Sequence, residues 1–140
     1  SRFARDVLNQ QGVRWVIIYE GVNDLGYASN GTQVANNLIA AYKQMINAAH
    51  ARGILVFGAT IMPFKNHSYY SPDHEVGRQL VNEWIRIGGF FYGLIDFDKI
   101  MRNPQDAASL QTPLQTDYLH PNVQGHRTMG EAIDLSLFSF

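Results

Sequence analysis

The strongest constraint on the fold of this chain is the alternation of two kinds of apolar pattern. RWVIIYEG (Arg14 to Gly21), GILVFGAT (Gly53 to Thr60) and FYGLIDF (Phe91 to Phe97) each carry a short, nearly continuous apolar run with β-branched or aromatic members. Such a run predicts a strand covered on both faces, since a strand with one wet face would alternate apolar with polar residues. Between the first two runs, Val34, Leu38, Ala41, Met45 and Ala49 recur at the spacing of one helix face. Thr32 is the expected cap of that helix and Gly53 its expected stop. Between the second and third runs, Val76, Leu80, Val81, Trp84 and Ile85 mark another amphipathic helix, ending at Gly88-Gly89. A polar, irregular stretch from Arg102 to Asn122 then leads into a last helix containing Met129, Ile133 and Leu137. Phe3, Val7 and Leu8 predict a helical segment already under way at the start.

Strands and helices in this order call for parallel strands joined by right-handed crossovers. The expected architecture is therefore α/β, a doubly wound parallel sheet within one domain over residues 1–140. A chain of 140 residues can bury about two-thirds of its unfolded surface. Three strands nevertheless make a small sheet, whose open backbone edges need a partner. Together with the helical start, this leads to the expectation that an upstream segment belongs to the same domain.

Charge narrows the partners. Eleven basic and twelve acidic residues nearly cancel, and no like-charge block stands out, so nucleic acid and anionic membrane are not indicated. No apolar run approaches the roughly 20 residues of a membrane span. The absence of cysteine excludes disulfides, zinc thiolate sites and a cysteine nucleophile.

In an open parallel sheet, ligands bind outside the carboxyl ends of the strands. GVND, Gly21 to Asp24, stands directly after the first strand. Glycine allows a sharp turn or a close approach, and the Asn23 amide can offer an N–H where negative charge develops on oxygen. Asn and Asp in this position also serve simply to cap turns. The second polar group is Asp117-Tyr118-Leu119-His120-Pro121. Histidine suits proton transfer near neutral pH, provided one ring nitrogen is free and the other is held in a fixed tautomer. A carboxylate three residues away on a turn can do that holding, and Pro121 restricts the backbone just after the histidine. A surface ion pair and half of a metal site are the other readings of the same spacing. Asp96, at the end of the third strand, is placed where it can reach the site. Phe64, Tyr69 and Tyr70, in a long proline-punctuated loop, can line a sugar-binding surface or cover the core.

With both motifs in order, the chain resembles the SGNH hydrolases, also called GDSL-like lipases and esterases. In that family a G-x-N-D block follows a central strand and a D-x-x-H-P block precedes the final helix. WVIIYEGVNDLG, LIDFDKIMRNPQD and LHPNVQGHRTMGEAIDL are similar to the branch of microbial carbohydrate esterases that remove acetyl groups from plant polysaccharides. The resemblance implies a flavodoxin-like α/β fold, here lacking its N-terminal strand or strands. It implies Asn23 as an oxyanion-hole donor, His120 as general base and then acid, and Asp117 as the orienting carboxylate. Gly21 and Asp24 are implied as supporting residues around the substrate. No metal or organic cofactor is implied, and the substrate would be an ester, such as an acetylated plant-wall saccharide, met outside the cell. The family's Gly-Asp-Ser block, which carries the nucleophile, and its second oxyanion Gly are absent from this sequence. None of its serines has that context. The expectation is a companion N-terminal segment or chain carrying them, with these 140 residues inactive alone; the alternative is a non-catalytic carbohydrate- or protein-binding module.

Overall fold

The computed structural model describes residues 2–139. Strands β1 (Trp15–Ile18), β2 (Leu55–Ala59) and β3 (Gly93–Ile95) form a parallel sheet in the order β1-β2-β3. Trp15 pairs with Leu55 and Phe57 with Gly93. Helices α2 (Gly31–His50) and α3 (Pro72–Ile87), which make the two crossovers, pack against each other on one face. Right-handed connections between successive parallel neighbours require that arrangement. A short helix, α1 (Val22–Gly26), precedes α2, and a single π-helical turn, Ala4–Leu8, precedes the sheet.

The pleat divides the core in two. Val56 and Ile18 join Leu38, Tyr42 and Ile46 of α2 and Val81 and Ile85 of α3 in one buried cluster. Phe57, Ala59 and Ile95 point the other way, onto Met101, Leu110, Leu114 and Met129. Each large aliphatic side chain buried this way contributes about 1.5–3 kcal/mol, so the sheet is stabilised from both faces. β1 differs from the expectation of full burial. As an edge strand it leaves Ile17 43% exposed, and Tyr19 just beyond it 40%.

Several local expectations are corrected by the structure. The cap of α2 is Asn30, not Thr32: Asn30 Oδ1 accepts from the Gln33 amide at 2.8 Å. Gly31 must lie inside the helix because its N–H donates to Asp73 Oδ2 at 2.6 Å, and a Cβ there would run into the Asp73 carbonyl. Asn23 and Asp24, read as candidate turn caps, lie inside the helix α1. The stretch 102–122 is not wholly irregular. After α4 (Phe97–Met101) it forms an antiparallel ribbon of β4 (Arg102–Asn103) and β5 (Asp106–Leu110), followed by a 3-10 turn, Thr112–Leu114. The last helix, α5 (Val123–Glu131), stops before Ile133 and Leu137. Asp134 accepts from the Ser136 amide at 2.9 Å and starts a separate 3-10 turn. Ile133 and Leu137 matched helical spacing because both pack on the same core as Met129.

α5 is seated by a glycine. A Cβ on Gly125 would run into the Leu114 carbonyl and lie 3.0 Å from Pro121 Cβ. Asn122 caps the helix through the Gly125 amide at 2.9 Å and donates to the Pro113 carbonyl at 2.9 Å. Gly125→Ala is expected to destabilise the chain by about 1–3 kcal/mol through overpacking. Thermal denaturation would read the loss, and amide shifts in residues 114–121 would show the displaced loop.

Candidate active site

The carboxyl ends of the strands converge on a cleft of ≈ 320 Å³. Gly21, Asn23 and His120 line it, with Ile61, Met62 and Met129 supplying apolar wall. Gly21 is held at φ 108°, a conformation that favours glycine, and a Cβ there would meet Ile61, Leu38 and the Tyr42 hydroxyl at 3.0–3.2 Å. The Tyr42 hydroxyl donates to the Glu20 carbonyl at 2.6 Å and so fixes the end of β1. The turn at Gly21 starts α1, whose second residue is Asn23.

Asp117 and His120 form one compact unit. Asp117 Oδ2 lies 2.7 Å from His120 Nδ1, while Oδ1 accepts from the backbone amides of His120 at 2.8 Å and Leu119 at 3.1 Å. One carboxylate thus closes the turn with one oxygen and orients the ring with the other. Tyr118 takes φ 66° at the apex, and its amide donates to Gln115 Oε1 at 2.6 Å. The strand-like pairing of Gln115 with Pro121 and the bond from the Thr116 amide to the His120 carbonyl close the loop at its base. The backbone amide of His120, followed by its ring, holds the Asp117 carboxyl well below the usual carboxylate range. The carboxylate is therefore charged at any pH near neutrality. His120 Nε2 makes no hydrogen bond among the described residues, and the His120 side chain is 68% exposed.

Of the expected site residues, Gly21, Asn23 and His120 meet at the cleft, with Asp117 directly behind His120. Asp24 is exposed on α1 and does not line the cleft. Asp96 does not reach it either. Its carboxylate caps α4 through the Lys99 amide and pairs with Arg86 and the Thr60 hydroxyl. Phe64 covers the core, fully buried, whereas Tyr69 donates its hydroxyl to Asn23 Oδ1 at 3.1 Å. Glu20 and His126 also line the cleft. His126 was legible only as one more histidine, because a position in the first turn of α5 gains meaning only once the helix is docked. Among the described residues, no three His, Asp or Glu side chains gather closely enough to hold a metal ion. No described helix is long and apolar enough to cross a membrane.

The fold and this constellation point to one family, and comparison with known proteins gives the same answer. The model of the GDSL-like lipase/acylhydrolase family matches residues 1–128. The chain belongs to that family. Among solved structures, a GDSL-like lipase from Bacteroides thetaiotaomicron superposes with a TM-score of 0.74 at 19% identity, covering 98% of this chain and 67% of its own. A protein of the G-D-S-L family from Desulfitobacterium hafniense gives 0.71 at 20% identity, covering 94% and 69%. A Bacteroides fragilis protein described as an acylhydrolase gives 0.72 at 18%, covering 98% and 66%. At these identities the likeness concerns the fold. The chain spans about two-thirds of the length of these structures. No curated protein matches it.

Proposed function

We propose that this chain is the part of an ester hydrolase that holds the general base, its orienting carboxylate and one oxyanion donor. The nucleophilic serine is supplied by a companion segment. The observation that carries this reading is the meeting of the Asp117–His120 pair with Gly21 and Asn23 at a cleft where, among the described residues, no serine, threonine or cysteine lines the wall.

The chemistry follows from which atoms remain available. His120 Nδ1 is committed to Asp117, so Nε2 takes the proton from the serine hydroxyl as its oxygen attacks the ester carbonyl carbon. The carbonyl oxygen gains charge and accepts an N–H from Asn23 Nδ2. The imidazolium, stabilised by Asp117, passes its proton to the departing alkoxide, leaving an acyl-serine. Water repeats the sequence: it loses a proton to Nε2, displaces the serine oxygen and releases the acid.

The companion segment docks, in this reading, along the open edge of β1. A groove of ≈ 450 Å³ runs there, lined in part by Phe3, Val7, Val16, Ile17, Ile18 and Met45. An edge strand with half-exposed apolar side chains suits an added strand. An acylated saccharide is supported by the resemblance to carbohydrate acetylesterases and by Tyr27. That ring is 79% exposed, packs edge-on to Tyr69 at 5.0 Å and offers an aromatic face near Asn23. A plant-wall saccharide of this kind would place the reaction outside the cell.

Aryl acetate hydrolysis and fluorophosphonate labelling test the division of labour. The purified chain alone is expected to turn over no faster than its His120→Ala variant. Joined to the companion segment, it should hydrolyse the ester and carry the label on a serine of that segment. Robust hydrolysis by the chain alone, or label on one of its own serines, would overturn the proposal. A labelled serine nowhere, with saccharide still bound, would point instead to a non-catalytic binding module.

A further inference from the structure

An amide is a useful oxyanion donor only when the right end faces the substrate. Asn23 is exposed at the cleft, and rotation by half a turn would replace its N–H₂ with a carbonyl oxygen that repels the developing charge. The only side-chain hydrogen bond to its amide group among the described residues is the Tyr69 hydroxyl, which donates to Asn23 Oδ1 at 3.1 Å. With the oxygen so occupied, Nδ2 is the end left for the cleft.

Tyr69 is itself held from several sides. Its ring lies across Gly26, where a Cβ would run into it, so α1 and the loop before α3 meet through a missing side chain. His67 stacks edge-on at 4.7 Å, and its Nδ1 is 3.1 Å from the Tyr69 amide. The two ring nitrogens of His74 lie 2.6 Å from the Tyr69 carbonyl and 2.9 Å from the Ala28 carbonyl. His74 thereby ties the Tyr69 loop to the residues just past α1. Tyr27, whose ring packs edge-on to it, and then desolvation push the Tyr69 phenol above its ordinary range, so it stays protonated at neutral pH.

We infer that Tyr69 is a positioning residue for the oxyanion donor: its hydroxyl fixes the Asn23 amide with Nδ2 toward the cleft. The inference rests on the ester-hydrolase reading. It adds a residue that lies 46 positions from Asn23 and outside both sequence motifs.

Tyr69→Phe keeps the ring over Gly26 and deletes only the O–H, so the fold should survive. In the complete enzyme, Tyr69→Phe is expected to lower kcat for an aryl acetate about 10-fold with KM within about two-fold, against about 10²–10³-fold for Asn23→Ala. The double variant should be no slower than Asn23→Ala, because Tyr69 acts only through that amide. A large Asn23→Ala loss beside an unchanged Tyr69→Phe, or losses that multiply, would overturn this inference alone. An Asn23→Ala variant with full activity would overturn the oxyanion reading with it. In the isolated chain, the side-chain amide resonances of Asn23 should move in Tyr69→Phe while the thermal midpoint holds; unmoved resonances would also overturn the inference.

Discussion

His120→Ala in the complete enzyme is expected to lower kcat by about 10⁶-fold, leaving only the rate that binding and oxyanion stabilisation sustain. Asp117→Asn should cost about 10⁴-fold. The two differ for a structural reason. His120 is the only residue of this chain proposed to move the proton, whereas Asp117 acts through the ring it holds. Asparagine is the informative replacement because its Oδ1 can still accept from the His120 and Leu119 amides, so the turn should persist. What is lost is the negative charge 2.7 Å from Nδ1 and the certainty of the tautomer. KM should change little in either variant. A loss confined to KM would mean that these residues bind substrate without taking part in proton transfer.

The second large effect is on stability. Arg78→Met is expected to destabilise the fold by about 3 kcal/mol or more, the usual cost of breaking a buried ion pair from one side. Arg78 and Asp98 are both fully buried and meet at 2.7 Å. Arg78 also reaches the Ile61 carbonyl at 3.0 Å and makes a two-pronged contact with Glu75 at 2.7 and 2.8 Å. Desolvation opposes its charge, but Glu75 and Asp98 outweigh that and raise its pKa. Asp98 keeps Arg86 at 2.6 Å and a longer contact with Arg102 after the substitution, which holds the loss toward the lower end. A drop of about 10 °C in thermal midpoint would be in proportion for a domain of this size. A midpoint within about 2 °C of the parent, roughly half the shift expected of 1 kcal/mol, would show that methionine's packing replaces the pair. Asn82 belongs to the same region: it receives the Ile61 amide at 2.7 Å and donates to the Ile61 carbonyl at 2.8 Å. The wall of the cleft at Ile61 is therefore hung on a polar network that the chemistry never touches.

The sheet and its crossovers were legible because buried strands and amphipathic helices have distinct periods, and both periods are strong here. Asp117 and His120 were legible because they share one short motif at a chain reversal, where local geometry brings the two together, and Asn23 because it follows directly on a strand end. Other features lay beyond that reach. Thr32 and Asn30 are both good caps; what selects Asn30 is the approach of Asp73 to Gly31, a contact across 42 positions. Arg78 falls on a helix with ordinary amphipathic spacing, and its burial depends on Asp98 arriving from β3's far end. Asp96 lay at the predicted strand end, yet Arg86 draws it away from the cleft. Tyr69 was placed in an aromatic loop that suited either sugar or core, and only the packing against Gly26 separates it from buried Phe64.

The two halves of the site differ in how far their supports reach along the chain. The half proposed to move the proton is written within four residues, since a single carboxylate sets both the turn and the ring. The half proposed to accept charge depends on a loop that is remote in sequence and held by His67, His74 and the packing of Tyr69 over Gly26. The halves can therefore be altered independently. Changes in the loop before α3 can retune which esters are accepted while proton transfer stays intact, and that loop is where relatives of differing substrate preference would be expected to diverge.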